Sequence, residues 1–278
     1  MTDLFRLWEQ PNLRNPSLVV AWHNDAGKLG AKVADYLNSK LGGQNLAEIE
    51  PVDFFPLGGV AIKDDLVQFP ESKLYACPQN NLVIFTSDPP NYEWFKLINL
   101  TLDVAEHCGR IKELYTIGGM VSPDAHTTPR QLIAGLNSPE LKQDLDQYNL
   151  TSNLDYQTPP GHRPALNSFV LWAARQRNIH GAALWVSIPF YLVATDDPTA
   201  QRKMLEFFDQ RFSLKIDFRD IDQEIKRQNE EIARARMVSP EVNEYISRLE
   251  SNLSLSEVEN ETLVKQIEAF LSGKEHRL

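Results

Sequence analysis

The chain has 278 residues, of which 42% are hydrophobic and 9% aromatic, and it carries a formal net charge of −10. This acidity argues against a basic face for duplex nucleic acid and against a polybasic membrane anchor. The two cysteines, Cys77 and Cys108, form no C-x-x-C pair, and a chain of this length folds without disulfide or metal staples. The first ten residues carry three charges, and no apolar run approaches about 18 residues. We therefore expect a soluble, cytoplasmic protein without a signal peptide.

The first 221 residues alternate between short apolar runs and amphipathic segments. Strands are predicted at 17–22, 46–55, 60–69, 74–77, 82–86, 114–117 and 182–187. Helices are predicted at 31–41, 92–108, 139–145, 164–178 and 198–211. This order predicts an α/β fold, a three-layer α/β/α sandwich with a largely parallel sheet. Four tryptophans lie in apolar runs and are predicted to belong to the core: Trp22, Trp94, Trp172 and Trp185.

The composition changes near residue 222. Charged residues make up 20 of the 57 residues at 222–278, against 46 of the 221 before them. We therefore divide the chain into an α/β core domain, 1–221, and a helical C-terminal tail, 222–278. Ser239-Pro240 and Ser256 with Glu259 are helix start signals. Two apolar stripes follow, and they must pack on the body of the protein or on a partner: Val242, Ile246 and Leu249, then Leu263, Ile267 and Phe270.

Three loops could form a ligand crevice, because such crevices lie off the carboxyl ends of parallel strands. The candidate residues are Asp25, Gly27 and Lys28 in the first loop, Gly118, Gly119 and Arg130 in the second, and His162 and Arg163 in the third. The first loop matches neither G-x-x-x-x-G-K-[ST] nor G-x-G-x-x-G. A Gly-containing turn before a helix can still hold a small anion. Each loop also has a purely structural interpretation. The first could be a tight turn, the second a polar surface loop, and the third a segment that prolines hold rigid before a helix.

No set of residues predicts catalysis, a metal or a cofactor. Ser122, Asp124 and His126 lie within five residues of one loop, whereas a triad needs a base held by a separate element. The chain has no G-x-S-x-G elbow, and its histidines show no metal-ligand spacing.

The order of several motifs resembles the proteasome assembly chaperone 2 family. The motifs are the strand ending in Trp22 with the 25–30 turn, Asp53 to Pro56, Leu82 to Ser87 before Pro89-Pro90, Ile117-Gly118-Gly119, Thr128-Pro129, Pro160-Gly161, and 181–189 with Asp197-Pro198. The resemblance runs from about Leu18 to Asp217 and more weakly through the tail.

The resemblance implies a phosphorylase/hydrolase-like α/β/α core and a homo-oligomer, with trimers among the assemblies of the family. It also implies a chaperone-like, protein-binding role, in a family of which many prokaryotic members have no assigned activity. Some archaeal relatives dock on the proteasome through a hydrophobic-tyrosine-any ending, but this sequence has Arg277 at the tyrosine position. Our leading hypothesis is a non-enzymatic homo-oligomer that contacts itself, or another protein, through the tail helices and sheet edges. The alternative is an enzyme or sensor that binds a small nucleotide or phosphorylated ligand in the three-loop crevice.

Overall fold

A computed structural model describes residues 4–8, 11–56, 61–63, 65–151, 155–162 and 165–272. Within them the chain has an α/β fold. The strands are β1 (Phe5–Leu7), β2 (Ser17–Trp22), β3 (Gln44–Ile49), β4 (Ala61–Lys63), β5 (Leu66–Gln68), β6 (Ser72–Cys77), β7 (Leu82–Ser87), β8 (Glu113–Ser122), β9 (Leu132–Leu136) and β10 (His180–Pro189). The helices are α1 (Leu29–Leu41), α2 (Trp94–Glu106), α3 (Pro139–Leu145), α4 (Leu166–Gln176), α5 (Pro198–Phe212), α6 (Arg219–Val238), α7 (Pro240–Glu250) and α8 (Glu257–Leu271).

Eight of these strands form one sheet in the order β1-β3-β6-β7-β2-β8-β10-β9. Strand β2 runs parallel to β7 and to β8, and all six of its residues are buried. A continuous apolar run is what a central strand covered on both faces requires. The prediction that Ser17 to Trp22 forms such a strand is therefore confirmed.

The sheet is mixed, so the prediction of a largely parallel sheet was wrong. Strands β1, β3, β6 and β7 are joined antiparallel, with Cys77 opposite Leu82 in the β6–β7 pair. Only four residues separate these two strands, and a parallel crossover needs a dozen or more. The short connection at Pro78 turns through Asn81 in the left-handed conformation, with φ 50°.

The predicted strand at 60–69 is instead two short strands, β4 and β5, paired antiparallel in a separate hairpin. Residues 57–60 and 64 lie outside the described part of the chain. Asp65, at the turn, has a φ of 64°, which breaks the extended conformation between the two strands.

The chain divides into two compact units. The first comprises Met1–Asn24, Gly30–Gly118 and Ile133–Leu184. The second comprises Asp25–Leu29, Gly119–Leu132 and Trp185–Leu278. The division at residues 221 and 222 stays a prediction; that point lies in the first turn of α6.

In the second unit, α6, α7 and α8 pack against one another, and α8 packs on Phe190–Leu192. The start signals at Ser239 and Ser256 are confirmed, because each side chain caps its helix and Ser256 forms a capping box with Glu259. Arg236 on α6 donates to both carboxylate oxygens of Glu250 on α7, at 2.8 and 3.1 Å. Arg248 on α7 binds Glu259 on α8 at 2.6 Å. These ion pairs link α6 to α7 and α7 to α8. Among the described helices, none combines the length and apolarity needed to cross a membrane.

Candidate functional site

The first candidate loop uses its polar groups within the protein. The Gly27 amide donates to the Val193 carbonyl at 2.9 Å, and the Lys28 amide donates to the Asp25 carbonyl at 3.0 Å. The Asp25 carboxylate accepts a hydrogen bond from the Gly119 amide at 2.9 Å. An anion site at a helix start needs amides that point at the ligand. Since these amides are occupied, the geometry does not favour an anion at this turn.

The glycines of this turn are explained by close packing. Gly27 has a φ of 66°, and a Cβ there would lie 2.7 Å from Ile188 Cδ1. A Cβ on Gly119 would lie 2.2 Å from the Ala26 carbonyl oxygen. Real Cβ atoms do not approach a backbone oxygen that closely. Glycine at position 119 therefore permits the close contact between the turn at 25–29 and strand β8. This is the structural interpretation that the sequence left open.

Arg130 has a structural role as well. Its side chain is 3% exposed, and Nε donates to Asp197 Oδ2 at 2.9 Å. Its Nη1 donates to the carbonyls of His126 and Thr128, at 3.2 and 3.0 Å. Asp197 in turn caps α5 through the Ala200 amide at 3.0 Å. The guanidinium therefore holds the loop at 126–130 against the start of α5, and it has little surface left for a ligand.

The second loop contains a half-buried histidine, His126, that contacts the buried Tyr191. The Tyr191 hydroxyl accepts from the His126 amide at 2.5 Å and lies 2.9 Å from His126 Nδ1. Burial lowers the pKa of His126 from 6.5 to about 4, so its imidazole is neutral at pH 7 and Nδ1 can accept the hydroxyl proton. Burial also raises the pKa of Tyr191. Ser122 donates to Asp124. The serine and the histidine thus have different partners, and no triad is assembled.

The remaining crevice candidates belong to the first unit or lie outside the described residues. Gly118 is buried within β8. His162 is exposed, and its amide closes a turn by donating to the Pro159 carbonyl at 3.1 Å. Arg163 lies outside the described residues. Among the described residues, no group of three or more His, Cys, Asp or Glu side chains could hold a metal ion. A shared role of the eight candidate residues stays a prediction.

The tail stripes face the interior of the second unit. Val242, Ile246, Leu263 and Ile267 are fully buried, and Leu249 is 6% exposed. Phe270 is half-buried. These side chains form the core of the helical region, so they do not present a free face to a partner. In the described part of the tail, the exposed large apolar residues are Met237, Val238, Leu253 and Val258.

A partly exposed cluster of aromatic side chains, which no sequence motif indicated, lies in the first unit on α2 and α4. We call it the aromatic patch and define it as Trp94, Phe95, Phe169 and Trp172. Trp172 stacks on Phe169, with ring centroids 5.3 Å apart, and contacts Phe95 at 5.9 Å. Trp94 meets Phe169 edge-on at 6.0 Å. Phe95 is 55% exposed and Trp172 is 46% exposed.

The core prediction for Trp172 was therefore wrong. The signal that could have found it is the helical phase of α4. Val170, Leu171 and Ala174 form the buried face of this helix. Trp172 shares the outer face with the exposed residues Ser168 and Arg175. A large aromatic residue in phase with polar ones indicates a surface position.

The β4–β5 hairpin is a second exposed apolar feature of the first unit. Ile62 is 75% exposed, Leu66 is 65% exposed, and Phe69, just after β5, is 63% exposed. An isolated two-stranded hairpin is marginally stable in water, because it buries little apolar area. Such a hairpin gains stability when its apolar side chains are covered.

The model of the PAC2 family matches residues 19–236. That range covers most of the sheet and extends into α6. This chain belongs to the PAC2 family. No curated protein matches the chain. The resemblance noted from the sequence motifs is thereby confirmed.

Several solved structures share the fold of this PAC2 family chain. A Mycobacterium tuberculosis protein of unknown function is 21% identical, with a TM-score of 0.75 over 91% of each chain. PbaB, an archaeal proteasome activator from Pyrococcus furiosus, is 20% identical, with a TM-score of 0.67 over 84% of this chain and 98% of its own. A proteasome-assembly chaperone homologue from M. tuberculosis is 18% identical, with a TM-score of 0.69 over 83% of this chain and 99% of its own. At these identities the likeness shows the fold.

Proposed function

We propose that this protein is a non-enzymatic, chaperone-like member of the PAC2 family that works in the cytoplasm as a homo-oligomer. Family membership supports the protein-binding role, and two structural relatives are named as a proteasome activator and a proteasome-assembly chaperone homologue. The single observation that carries the proposal is the aromatic patch. Clustered Trp and Phe side chains, of which Phe95 and Trp172 are exposed, are typical of the centre of protein interfaces.

The occupant that we propose for the patch is a second copy of this chain. The patch is preformed, because helices α2 and α4 pack together and their aromatic rings already stack. A permanent apolar surface of this kind is an aggregation hazard when it stays uncovered. A second copy is a partner available whenever the protein is made, and most soluble oligomers are homo-oligomers with closed symmetry. The chain net charge of −10 keeps the assembled particles apart in solution.

The contact with other proteins is assigned to the β4–β5 hairpin. Its strands pair only with each other among the described residues. Their free edges can add a strand from a client protein, and alternate apolar side chains such as Ile62 and Leu66 would then supply contacts. A chaperone-like protein needs a surface of this type that is exposed before the client binds.

Light scattering coupled to size exclusion tests self-association. We expect the wild-type protein to elute as a multiple of 31.7 kDa and Trp172→Glu to elute at 31.7 kDa, because a carboxylate in the patch cannot be buried. Tyr156→Glu is the matched control, since Tyr156 is 78% exposed outside the patch. A wild-type protein that is monomeric at every concentration would contradict the proposed oligomer.

Client binding is measured separately, so that the two parts of the proposal can fail independently. We expect Leu66→Ser with Phe69→Ser to weaken suppression of the aggregation of an unfolded test protein, with the oligomer unchanged. If this double variant suppresses aggregation of the test protein as well as the wild type does, the hairpin does not bind the client protein.

A further inference from the structure

The first unit contains a cavity of about 300 Å³ at the amino-terminal ends of its central strands. Three chain segments converge there: Asn15 before β2, 110–112 before β8, and 177–179 before β10. Strand β2 runs parallel to β8, β10 is the next strand in the sheet, and residues that precede all three strands line the cavity. This is the opposite strand end from the one at which the sequence predicted a ligand crevice.

The floor of the cavity is buried and hydrogen-bonded. Ile111 and Ile179 are each 4% exposed, and the Lys112 amide donates to the Pro16 carbonyl at 2.8 Å. Asn15 and Asn178 adopt the left-handed conformation, with φ values of 53° and 57°. Asparagine tolerates this conformation better than most residues, and at both positions it lets the chain turn into a strand. The cavity is therefore held by the backbone of three strand entries.

The lining of the cavity is positively charged. It includes the cations Arg110, Lys112 and Arg177, one carboxylate, Glu106, and the imidazole of His180. Arg177 is compensated, because its Nη1 binds Asp103 at 2.6 Å and Glu106 at 3.2 Å. Arg110 and Lys112 make no side-chain hydrogen bond or ion pair within the part of the chain that the structure describes.

Two exposed cations without an ion-pair partner among the described residues therefore line this concave surface, in a chain with a net charge of −10. Like charges that share a site repel, and an anion between them removes this repulsion. Arginine is suited to bind phosphate with two parallel hydrogen bonds, and lysine adds a mobile point charge. The Nδ1 of His180 lies 2.7 Å from Ser138 Oγ, and this contact fixes the ring at the rim.

We propose that this cavity binds a small phosphorylated ligand with two or more anionic groups. A cavity of 300 Å³ is at the lower end of the range for small-molecule sites, which fits a ligand of pyrophosphate size rather than a whole dinucleotide. Arg110 and Lys112 bind the phosphates, and Arg177 forms the wall that its two carboxylate partners hold in place. The proposal is independent of the oligomer and of client binding.

Titration with pyrophosphate at low ionic strength, followed by calorimetry, tests the site. We expect saturable binding, and a loss of affinity of about tenfold or more in the double variant Arg110→Ala with Lys112→Ala, because two charge-assisted contacts are removed. Both residues are exposed, so the fold is kept. The matched control removes another exposed arginine and lysine, Arg227→Ala with Lys265→Ala, and keeps the affinity.

Two further measurements distinguish a built site from general attraction. Glu106→Gln removes the one carboxylate of the lining and is expected to tighten pyrophosphate binding several-fold. Citrate is expected to bind more weakly than pyrophosphate. An equal loss in the control double variant, citrate binding as tight as pyrophosphate binding, or no saturation by wild-type protein would each overturn the proposal.

Discussion

Arg130 and Asp197 form a buried ion pair, with 2.9 Å between Nε and Oδ2 and with side chains 3% and 1% exposed. They lie 67 positions apart in the chain, yet together they join the loop at 126–130 to the start of α5. At these exposures, water hydrates neither charge. Each therefore depends on the other, and the loss of one leaves an uncompensated charge in the interior.

Arg130→Ala is expected to lower the free energy of unfolding by about 3–5 kcal/mol, the cost of removing one partner of a buried pair. Urea denaturation, with the midpoint and the slope fitted together, measures this change. Arg234→Ala is the control, because Arg234 pairs with Glu231 at the surface with 55% of its side chain exposed. That variant is expected to lose less than about 1 kcal/mol. Equal losses in the two variants would contradict a structural role for Arg130.

Stability is expected to decrease in mild acid because of His126. Burial lowers the folded pKa to about 4, so between pH 6.5 and 4 the unfolded chain binds the proton and the folded protein does not. The free energy of unfolding is unaffected by this histidine above pH 6.5. It decreases as the pH falls toward 4, by at most about 3 kcal/mol in total. Urea titrations at several pH values measure it.

His126→Asn is expected to flatten that pH dependence, because asparagine can accept from Tyr191 without binding a proton. His107→Asn is the matched loss of an imidazole at an exposed position. If His126→Asn keeps the full decrease in stability between pH 6.5 and 4, His126 is not the cause of that decrease.

Gly119→Ala tests the contact between the turn at 25–29 and strand β8. The added Cβ would lie 2.2 Å from the Ala26 carbonyl oxygen, so the backbone must move and the Asp25 hydrogen bond with it. We expect a loss of about 2 kcal/mol or more in thermal or urea unfolding. Gly42→Ala provides the comparison, because its Cβ would meet nothing within 4 Å although φ is 66°. It is expected to lose about 1 kcal/mol from backbone strain alone.

Sequence signals within a few residues predicted most of the helices and strands. The geometry of the candidate site depends instead on contacts between residues that are distant in the sequence. Strand β2 and helix α5 follow from an apolar run and from the Asp197-Pro198 start, both of which act within a few residues. Asp25 and Gly119 are 94 residues apart, so no sequence pattern shows that the carboxylate occupies the amide of the glycine. The sequence did not indicate a site at Arg110 and Lys112. The cavity that they line forms only because β8 lies between β2 and β10 in the sheet.

Ile246→Ala and Ile267→Ala decide between the two interpretations of the tail stripes. Both side chains are fully buried within the chain, so truncation leaves a cavity and is expected to lower the free energy of unfolding by about 2–5 kcal/mol. The oligomer mass measured by light scattering should not change in conditions that keep the protein folded. Val258→Ala, at a position 73% exposed on the same helix as Ile267, should leave stability within about 0.5 kcal/mol of the wild type. A stable Ile267→Ala protein that dissociates into monomers would show instead that the stripe contacts a partner.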